Sequence, residues 1–365
     1  MRREFLQLAH KYVPAKFNVA GWFISEKLDG TRCFWDGGLT RGMKTVDVPW
    51  SSITDPKTGS PKKKVKPVAT GLWSRYGNPI MAPDEFLNQL PCCPLDGELW
   101  AGRGKFQFCR SICAGDAPDP RFDQIEFAVY SSPPLVGIFR TGEIKNTNMH
   151  RVIDFLDMEQ WVRQRLNQFD GDFCYLPPGS LFQDEVGFLA KMLENSSVSA
   201  CYLHQQTKLF DVPEEAAKQV ETYLQRVLDM GGEGIILRNP REPWIPKRNR
   251  GILKYKPYSD DEGIVTGFTS GRKTAKGSKH LGRIGALILS FQGKRLELSG
   301  LTDEERIFAV HSMCEYAEQH PGVDMPSDFQ GLHFKVGQTV TFKYRELSDD
   351  GIPKEARYWR RRSVE

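Results

Sequence analysis

The sequence lacks the patterns that mark several common classes of protein. Its eight cysteines include no pair of Cys-x-x-Cys units, which argues against a zinc finger or ribbon. No run approaches the ~18 apolar residues of a membrane-spanning helix, so we expect no membrane contact. Residues 1–10 are charged and have no continuous apolar core. We therefore expect no signal peptide and an intracellular protein.

Strong charge of one sign is also absent. The formal net charge is only +4 over 365 residues, which permits nucleic-acid binding without demanding it. No internal repeat or low-complexity tract stands out. With 39% apolar and 26% charged residues, the chain has the composition of an ordinary globular protein. Its length allows two domains with large buried cores.

Lysine and arginine are nevertheless clustered locally. The clusters fall at residues 57–66, 241–256, 272–283 and 354–362. Such clusters often form solvated protein surfaces, and they also suit contact with a phosphate backbone. Both interpretations stay open from composition alone.

One short segment combines residues suited to covalent nucleotide transfer. Residues 25–35 read Ser-Glu-Lys-Leu-Asp-Gly-Thr-Arg-Cys-Phe-Trp. Lys27 is a candidate nucleophile, because a lysine amine attacks once it is neutral. In a strand-like run Asp29 would project to the same face as Lys27. Arg32 offers a fixed fork for phosphate or sugar oxygens. Alone the motif is weak, since an exposed turn with a salt bridge can have the same pattern.

Five further segments follow this motif in order. They are Ser-Arg-Tyr-Gly at 74–77, Leu-Asp-Gly-Glu-Leu-Trp at 95–100, Phe-Ala-Val-Tyr at 127–130, Glu-Gly-Ile-Ile-Leu-Arg at 233–238 and Leu-Lys-Tyr-Lys-Pro at 253–257. With them the chain resembles the covalent nucleotidyltransferase superfamily, and specifically the small ATP-dependent DNA ligases of bacteria and phages. The resemblance includes Trp35-Asp36-Gly37 and residues 95–104. It covers most of residues 19–130 and 216–362, and little between about 136 and 215.

The resemblance implies an α+β protein of two domains. We expect an adenylylation, or nucleotidyltransferase, domain of antiparallel sheets with flanking helices over residues 1–257. A C-terminal OB-fold β-barrel follows over residues 258–365. The sequence pattern independently suggests such a barrel, with strands at 284–291, 294–299 and 338–345 and a helix near 303–319.

Other patterns predict particular elements. Helical periodicity appears in residues 151–169, 180–194 and 213–230. Asp36-Gly37-Gly38 predicts a hairpin turn. Residues 259–263 are predicted to form a short acidic link, and its Asp260–Glu262 portion a hinge between the two domains.

The implied reaction has three steps at phosphorus. Lys27 attacks the α-phosphorus of ATP and forms lysyl-AMP, AMP passes to the 5′-phosphate at a nick, and the 3′-hydroxyl displaces AMP. The implied cofactor is Mg²⁺, with Mn²⁺ as a substitute. The implied partner is nicked double-stranded DNA, and we expect a monomer.

Residue by residue, the resemblance implies the following roles. The catalytic residues are Lys27, Lys254 and Lys256. The nucleotide-binding residues are Lys27, Arg32, Arg75, Glu98, Tyr130, Lys254, Lys256, Lys354 and Arg362. The metal ligands are Glu233 and Glu98. The DNA-binding residues are Arg32, Arg75, Arg272, Lys273, Lys276 and Lys279. Lys62, Lys63 and Lys64 are added to them from the charge of the basic loop at 57–67, which looks like an insertion relative to the smallest ligases. The alternatives for this loop are an ordinary surface loop and a nuclear localisation signal. The structural alternative for Lys254 and Lys256 is an ordinary alternating strand. For the carboxylates it is a buried salt bridge.

The chain departs from the family pattern in three places. Tyr130-Ser131 stands where the family usually has Phe-Asp, so the stacking aromatic is kept and the role of the acid is in doubt. Ser25 stands where many ligases carry a glutamate that contacts adenine, with Glu26 one place later. Lys354 replaces an arginine of the final motif.

Other functions share the lysine motif. An RNA ligase or an mRNA-capping guanylyltransferase is one alternative, and labelling of Lys27 by GTP instead of ATP would identify a capping enzyme. A non-catalytic nick-binding protein is another. It would require loss of the nucleophile or of the metal site, whereas Lys27, Glu98 and Glu233 are all present.

Overall fold

The computed structural model describes residues 6–53, 60–135, 155–194, 200–273, 279–345, 347–348 and 350–361. The chain forms two compact units, Met1–Tyr255 and Lys256–Glu365. Both units combine mainly antiparallel sheets with a few helices, which confirms the predicted α+β class. Among the described residues no helix has both the length and the apolar character needed to cross a membrane.

The first unit contains two five-stranded sheets. Across the first sheet the strands are β1 (Leu8–Lys11), β10 (Arg248–Tyr255), β9 (Ile235–Arg238), β2 (Phe23–Glu26) and β8 (Thr207–Lys208). Across the second they are β4 (Leu72–Ser74), β3 (Thr31–Asp36), β5 (Pro94–Trp100), β6 (Glu126–Ser131) and β7 (Cys201–Leu203). Pairing is antiparallel except between β1 and β10 and between β6 and β7.

In the described part of this unit, five α-helices accompany the sheets. They are α1 (Asp84–Leu87), α2 (Phe106–Cys113), α3 (Phe155–Asn167), α4 (Phe182–Glu194) and α5 (Pro213–Asp229). Helix α5 buries Ala216, Val220, Leu224 and Val227, spaced three or four residues apart, against the first sheet, as an amphipathic helix should. Helices α2 and α4 pack on the second sheet. Helix α3 contributes Val162 to a third core, which also contains Trp50 and Trp73.

The second unit is a five-stranded barrel. Its strands run in the order β13 (Lys294–Leu298), β12 (Ile284–Phe291), β11 (Ser259–Ser270), β14 (Thr339–Tyr344) and β15 (Arg357–Arg361). A parallel bridge between Ser299 and Arg357 joins the two ends of this sheet, which closes it. Helix α6 (His311–Gln319) packs on the core through Ala317. This arrangement confirms the predicted OB-type barrel and its three predicted strands.

Three predicted features differ from the structure. The acidic residues 259–263 are not a link, because they form the start of β11 and pair with β14, where Asp260 lies opposite Lys343. The hairpin predicted at Asp36-Gly37-Gly38 is wrong, since β3 is followed by a long connection and then by β4. The helix predicted over 303–319 is limited to α6, and residues 303–310 form turns and bends.

Candidate active site

Lys27 lies directly after β2, in contact with Glu233 from the segment before β9. These strands pair so that Glu26 faces Ile235, and the backbone N–H of Lys27 donates to the carbonyl of Gly234 at 2.8 Å. Nζ of Lys27 donates to Oε2 of Glu233. Both side chains keep some exposure, 26% and 11%. The nucleophile and metal ligand predicted from sequence are therefore brought together.

The loop of the motif is tightly fitted against the second sheet. Strand β2 ends at Glu26, so residues 27–30 form a loop and the strand geometry predicted for Lys27 and Asp29 is wrong. A Cβ on Gly30 would lie 2.2 Å from the carbonyl oxygen of Leu99, which no side chain can tolerate. Glycine is required here because two backbones approach closely.

Glu98 joins the cluster from β5. It lies opposite Arg32 of β3 on one side and Ala128 of β6 on the other. Burial raises the pKa of Glu98 to about 8, although the charges of Lys27 and Arg32 oppose the shift and that of Glu233 adds to it. The cluster thus has two carboxylates next to one lysine amine.

Arg32 is held inside the protein. Its Nε and Nη2 donate to the two carboxylate oxygens of Asp96 at 2.9 and 2.7 Å, and Nη1 donates to the carbonyl of Gln7. Burial lowers the pKa of Arg32, but the charge of fully buried Asp96, its hydrogen bond and the weaker effects of Tyr130 and Glu98 together outweigh burial and leave the pKa above its usual range. Nε1 of Trp244 donates to the same carboxylate at 3.0 Å. In this structure Arg32 is therefore bound bidentately by a protein carboxylate.

Tyr130 is partly buried at the end of β6. The guanidinium carbon of Arg238 lies 4.8 Å from its ring centroid, and that of Arg32 lies 5.6 Å away. Burial raises the pKa of the Tyr130 hydroxyl well above 10, so the residue is a neutral aromatic surface. The adjacent Ser131 hydroxyl donates to Oε2 of Glu185 from α4.

Glu26, immediately before Lys27, is fixed at both ends. Nε and Nη2 of Arg103 donate to its two carboxylate oxygens at 2.8 and 2.7 Å. Its backbone carbonyl accepts from Nε2 of His204 at 2.8 Å. Burial lowers the pKa of His204, which favours the neutral imidazole. The Glu26 carboxylate is thus occupied by Arg103.

The two predicted motif lysines have different positions. Lys254 is exposed on β10, opposite Ile236, and Ile236 in turn pairs with Ser25. Two strand spacings, about 10 Å, therefore separate Lys254 from the strand that leads into Lys27. Lys256 is the first residue of the second unit.

The carboxylates Glu98 and Glu233 fit a magnesium ion. Mg²⁺ takes oxygen ligands, keeps several waters and needs only one or two protein carboxylates. A nearby cation would favour the ionised form of Glu98, which burial disfavours. Within the described part of the chain no group of three or more His, Cys, Asp or Glu residues could form a closed metal cage.

Most of the predicted DNA-binding residues are exposed. Those on the surface are Lys63, Lys64, Arg75, Arg272, Lys273 and Lys279, and Arg75 lies over the ring of Tyr76. Three of them also form ion pairs within the protein: Lys64 with Asp116, Arg272 with Glu297, and Lys279 with Asp303. Lys62 is partly buried, and its Nζ donates to Ser52 and Asn78.

Three other predicted residues contribute little to the description of the site. Lys354 is partly buried in the second unit, and its carbonyl accepts from the N–H of Arg345 at 3.1 Å. Lys276 and Arg362 lie outside the described residues.

Sequence reasoning missed several residues of this region. Asp96 and Arg238 lie inside the quoted motifs and could have been found there as charged residues in buried strands. Arg103 lies in the matched segment 95–104. Glu185 and His204 come from the stretch with little resemblance and gave no signal.

Comparisons with known proteins agree with this architecture. Residues 276–362 match the DNA ligase OB-like domain family. A DNA ligase of Haemophilus influenzae is 22% identical over 356 residues, which cover 97% of this chain and 91% of that protein. A Lig E DNA ligase structure aligns with TM-score 0.62 and 23% identity, covering 98% of both chains. The structure named Pmar-Lig_PreS3 aligns with TM-score 0.59 and 16% identity, covering 97% of this chain and 66% of that one.

The fold of the chain is therefore the one seen in a Lig E DNA ligase, and residues 276–362 of its second unit are similar to the OB-like domain of DNA ligases. In sequence and in fold, over nearly its whole length, the chain is similar to the small DNA ligases.

Proposed function

We propose that the protein is an ATP-dependent DNA ligase that seals nicks in duplex DNA through a lysyl-AMP intermediate. The observation that carries this proposal is the contact between Lys27 and Glu233, with Glu98 beside them. In a chain similar to DNA ligases, this cluster places a nucleophile among metal-suited carboxylates. The first unit then acts as the adenylylation domain and the second as the OB domain.

In the first step Nζ of Lys27 forms a bond to the α-phosphorus of ATP, and the bond to pyrophosphate breaks. The amine must lose a proton to attack. Lys254 and Lys256 would balance the charge that builds on the α-phosphate. The partly buried ring of Tyr130 stacks on the adenine.

Glu98 and Glu233 would hold Mg²⁺, which supplies charge neutralisation at the phosphates when bound. In the second step the oxygen of the 5′-phosphate attacks AMP and releases Lys27. In the third the 3′-hydroxyl attacks the 5′-phosphate and AMP leaves. Exposed Lys63, Arg75, Arg272 and Lys273 contact the DNA backbone. The protein acts as a monomer inside the cell.

Incubation with α-labelled ATP and Mg²⁺ tests this function. We expect the wild type and a Lys44→Ala control, which alters an exposed lysine of the same unit, to become labelled. Lys27→Ala should remain unlabelled. Added nicked DNA should discharge the label as strands are sealed.

Other results would overturn the proposal. Labelling by GTP in place of ATP would indicate a capping guanylyltransferase, and sealing of RNA alone would indicate an RNA ligase. No label from either nucleotide, with nick binding retained, would indicate a binding protein without catalytic activity.

A further inference from the structure

The ring of Tyr130 is the centre of a buried charged cluster. Arg238 is only 4% exposed, and its guanidinium carbon lies 4.8 Å from the centroids of both Tyr130 and Phe182. Burial lowers the pKa of Arg238, while the charges of Tyr130, Asp96 and Glu185 oppose this. A desolvated guanidinium over aromatic faces is a strong form of the cation–π interaction. The two rings and the cation therefore hold one another in place.

Glu185 fixes the end of the strand that carries the tyrosine. It is 1% exposed, and its Oε2 accepts from the hydroxyl of Ser131 and from the backbone N–H of Ser132 at 3.2 Å. These are the two residues that follow Tyr130. Polar groups are rarely buried so deeply unless they are hydrogen-bonded. Helix α4 thus ties down β6 directly behind the ring.

The cavity that Glu185 and Arg238 line is too small for a nucleotide. Phe182, Glu185 and Arg238 line a cavity of about 10 Å³ together with Gln7, Asn239, Glu242, Trp244, Gly251 and Ile252. That volume admits no more than about one water, whereas ligand pockets begin at about 300 Å³. The other oxygen of Glu185 is buried and has no hydrogen-bond partner. Glu185 and Arg238 therefore cannot touch a base bound in this cavity, and their contacts run to Tyr130 and to the two serines that follow it.

Helix α4 begins in the same cluster. The ring of Phe182, its first residue, packs against Phe23 of β2 with centroids 5.8 Å apart at an angle of 80°. Strand β2 leads directly to Lys27. Helix α4 thus contacts both the strand that carries Tyr130 and the strand that leads to Lys27. This helix lies outside the segments that resemble ligases.

We propose that Arg238 and Glu185 are positioning residues that hold the Tyr130 ring in the orientation in which it stacks on the base of the bound nucleotide. The inference rests on the proposed function and extends it. Neither residue touches the nucleotide. Their contribution is preorganisation, which lowers the cost of ordering the ring when the base binds.

The rate of self-adenylylation, measured as a function of ATP concentration, tests this role. We expect Arg238→Met to raise the KM for ATP about tenfold, the size of a desolvated cation–π contact. The maximal rate at saturating ATP should stay within about twofold, because the reacting groups are untouched. Glu185→Gln, which keeps the shape of the side chain, should raise KM by a smaller factor. Arg121→Met is the matched control, since Arg121 lies 5.6 Å from the Phe108 centroid on an exposed surface.

A double-mutant cycle separates positioning from general stability. In a Tyr130→Ala background, Arg238→Met should change KM by less than about twofold, because the ring through which it acts is gone. An equal effect in both backgrounds would overturn the inference, as would an unchanged KM in the single variant. If Arg238→Met fails to fold, the same cycle is run with Glu185→Gln, and the same outcomes decide. A wild type that ATP does not label would overturn the proposed function and this inference together.

Discussion

Nε2 of His204 lies 2.8 Å from the carbonyl oxygen of Glu26, the residue before Lys27. The two residues are 178 positions apart in sequence. A carbonyl can only accept, so the ring nitrogen donates. The backbone N–H of His204 in turn donates to the carbonyl of Val129 at 2.7 Å. One residue thus links the strand leading to the nucleophile with the strand that carries Tyr130.

Replacing this histidine should affect both stability and chemistry. In His204→Ala the carbonyl of Glu26 loses its donor, which we expect to cost about 1–3 kcal/mol of unfolding free energy. Formation of lysyl-AMP at saturating ATP should slow about tenfold, because Lys27 is less well placed. Urea unfolding and single-turnover labelling measure the two effects. His10→Ala, at a partly exposed site on β1, is the control. Equal labelling rates in the two variants would refute the role of His204.

We expect Arg103 to affect the labelling rate through its contact with Glu26. Its side chain is one third exposed and binds both carboxylate oxygens of Glu26. A surface ion pair contributes at most about 1 kcal/mol to stability, so Arg103→Met should leave the melting temperature nearly unchanged. We expect the labelling rate to fall several-fold while Arg110→Met, at an exposed arginine of α2, has no effect. A large loss of stability with a normal rate would contradict this.

The sequence motifs predict the central cluster because its members lie next to strand ends. Lys27 follows β2 and Glu233 precedes β9, and the antiparallel pairing of these strands brings the two ends together. Glu98 lies inside β5, and the Leu-Asp-Gly-Glu motif predicts it. The barrel strands were predictable from short apolar runs bounded by turns.

Other contacts could not be predicted because they depend on packing between distant segments. Glu185 lies 54 positions from Ser131, in a helix whose sequence shows only ordinary amphipathic periodicity. The acidic start of β11 reads as a linker, yet it is a strand because its backbone pairs with β14, far along the chain. Pairing between strands that are distant in sequence leaves no local pattern.

Two glycines should respond in opposite ways to alanine. Gly30→Ala would place a methyl group 2.2 Å from a backbone oxygen, so we expect a loss of more than about 2 kcal/mol of stability and no labelling. Gly187 lies in α4 with no atom near a built Cβ. Gly187→Ala should raise stability by about 0.5–1 kcal/mol, because alanine favours helix. Thermal unfolding of both variants checks this, and a stable, active Gly30→Ala protein would show that the loop can move away from Leu99.

Glu185 should make stability depend on pH. Burial raises its pKa from 4.5 to about 8, partly opposed by the hydrogen bonds from Ser131 and Ser132 and by the charge of Arg238, while Asp96 adds to the rise. The folded protein therefore keeps a proton that the unfolded chain loses above pH 4.5. The stabilisation is fully present below about pH 4.5 and is lost as the pH rises through about 8.

Glu185→Gln removes this titration. Between pH 5 and 8 the wild type should lose stability with a slope of up to about 1.4 kcal/mol per pH unit from this group. The variant should show a flatter profile, whereas Asp123→Asn, which removes an exposed carboxylate, should retain the wild-type slope. Denaturant unfolding at several pH values provides the measurement. Parallel profiles for the wild type and Glu185→Gln would mean that Glu185 is ionised in the fold, and the charge of Arg238 would then have to outweigh the cost of burial.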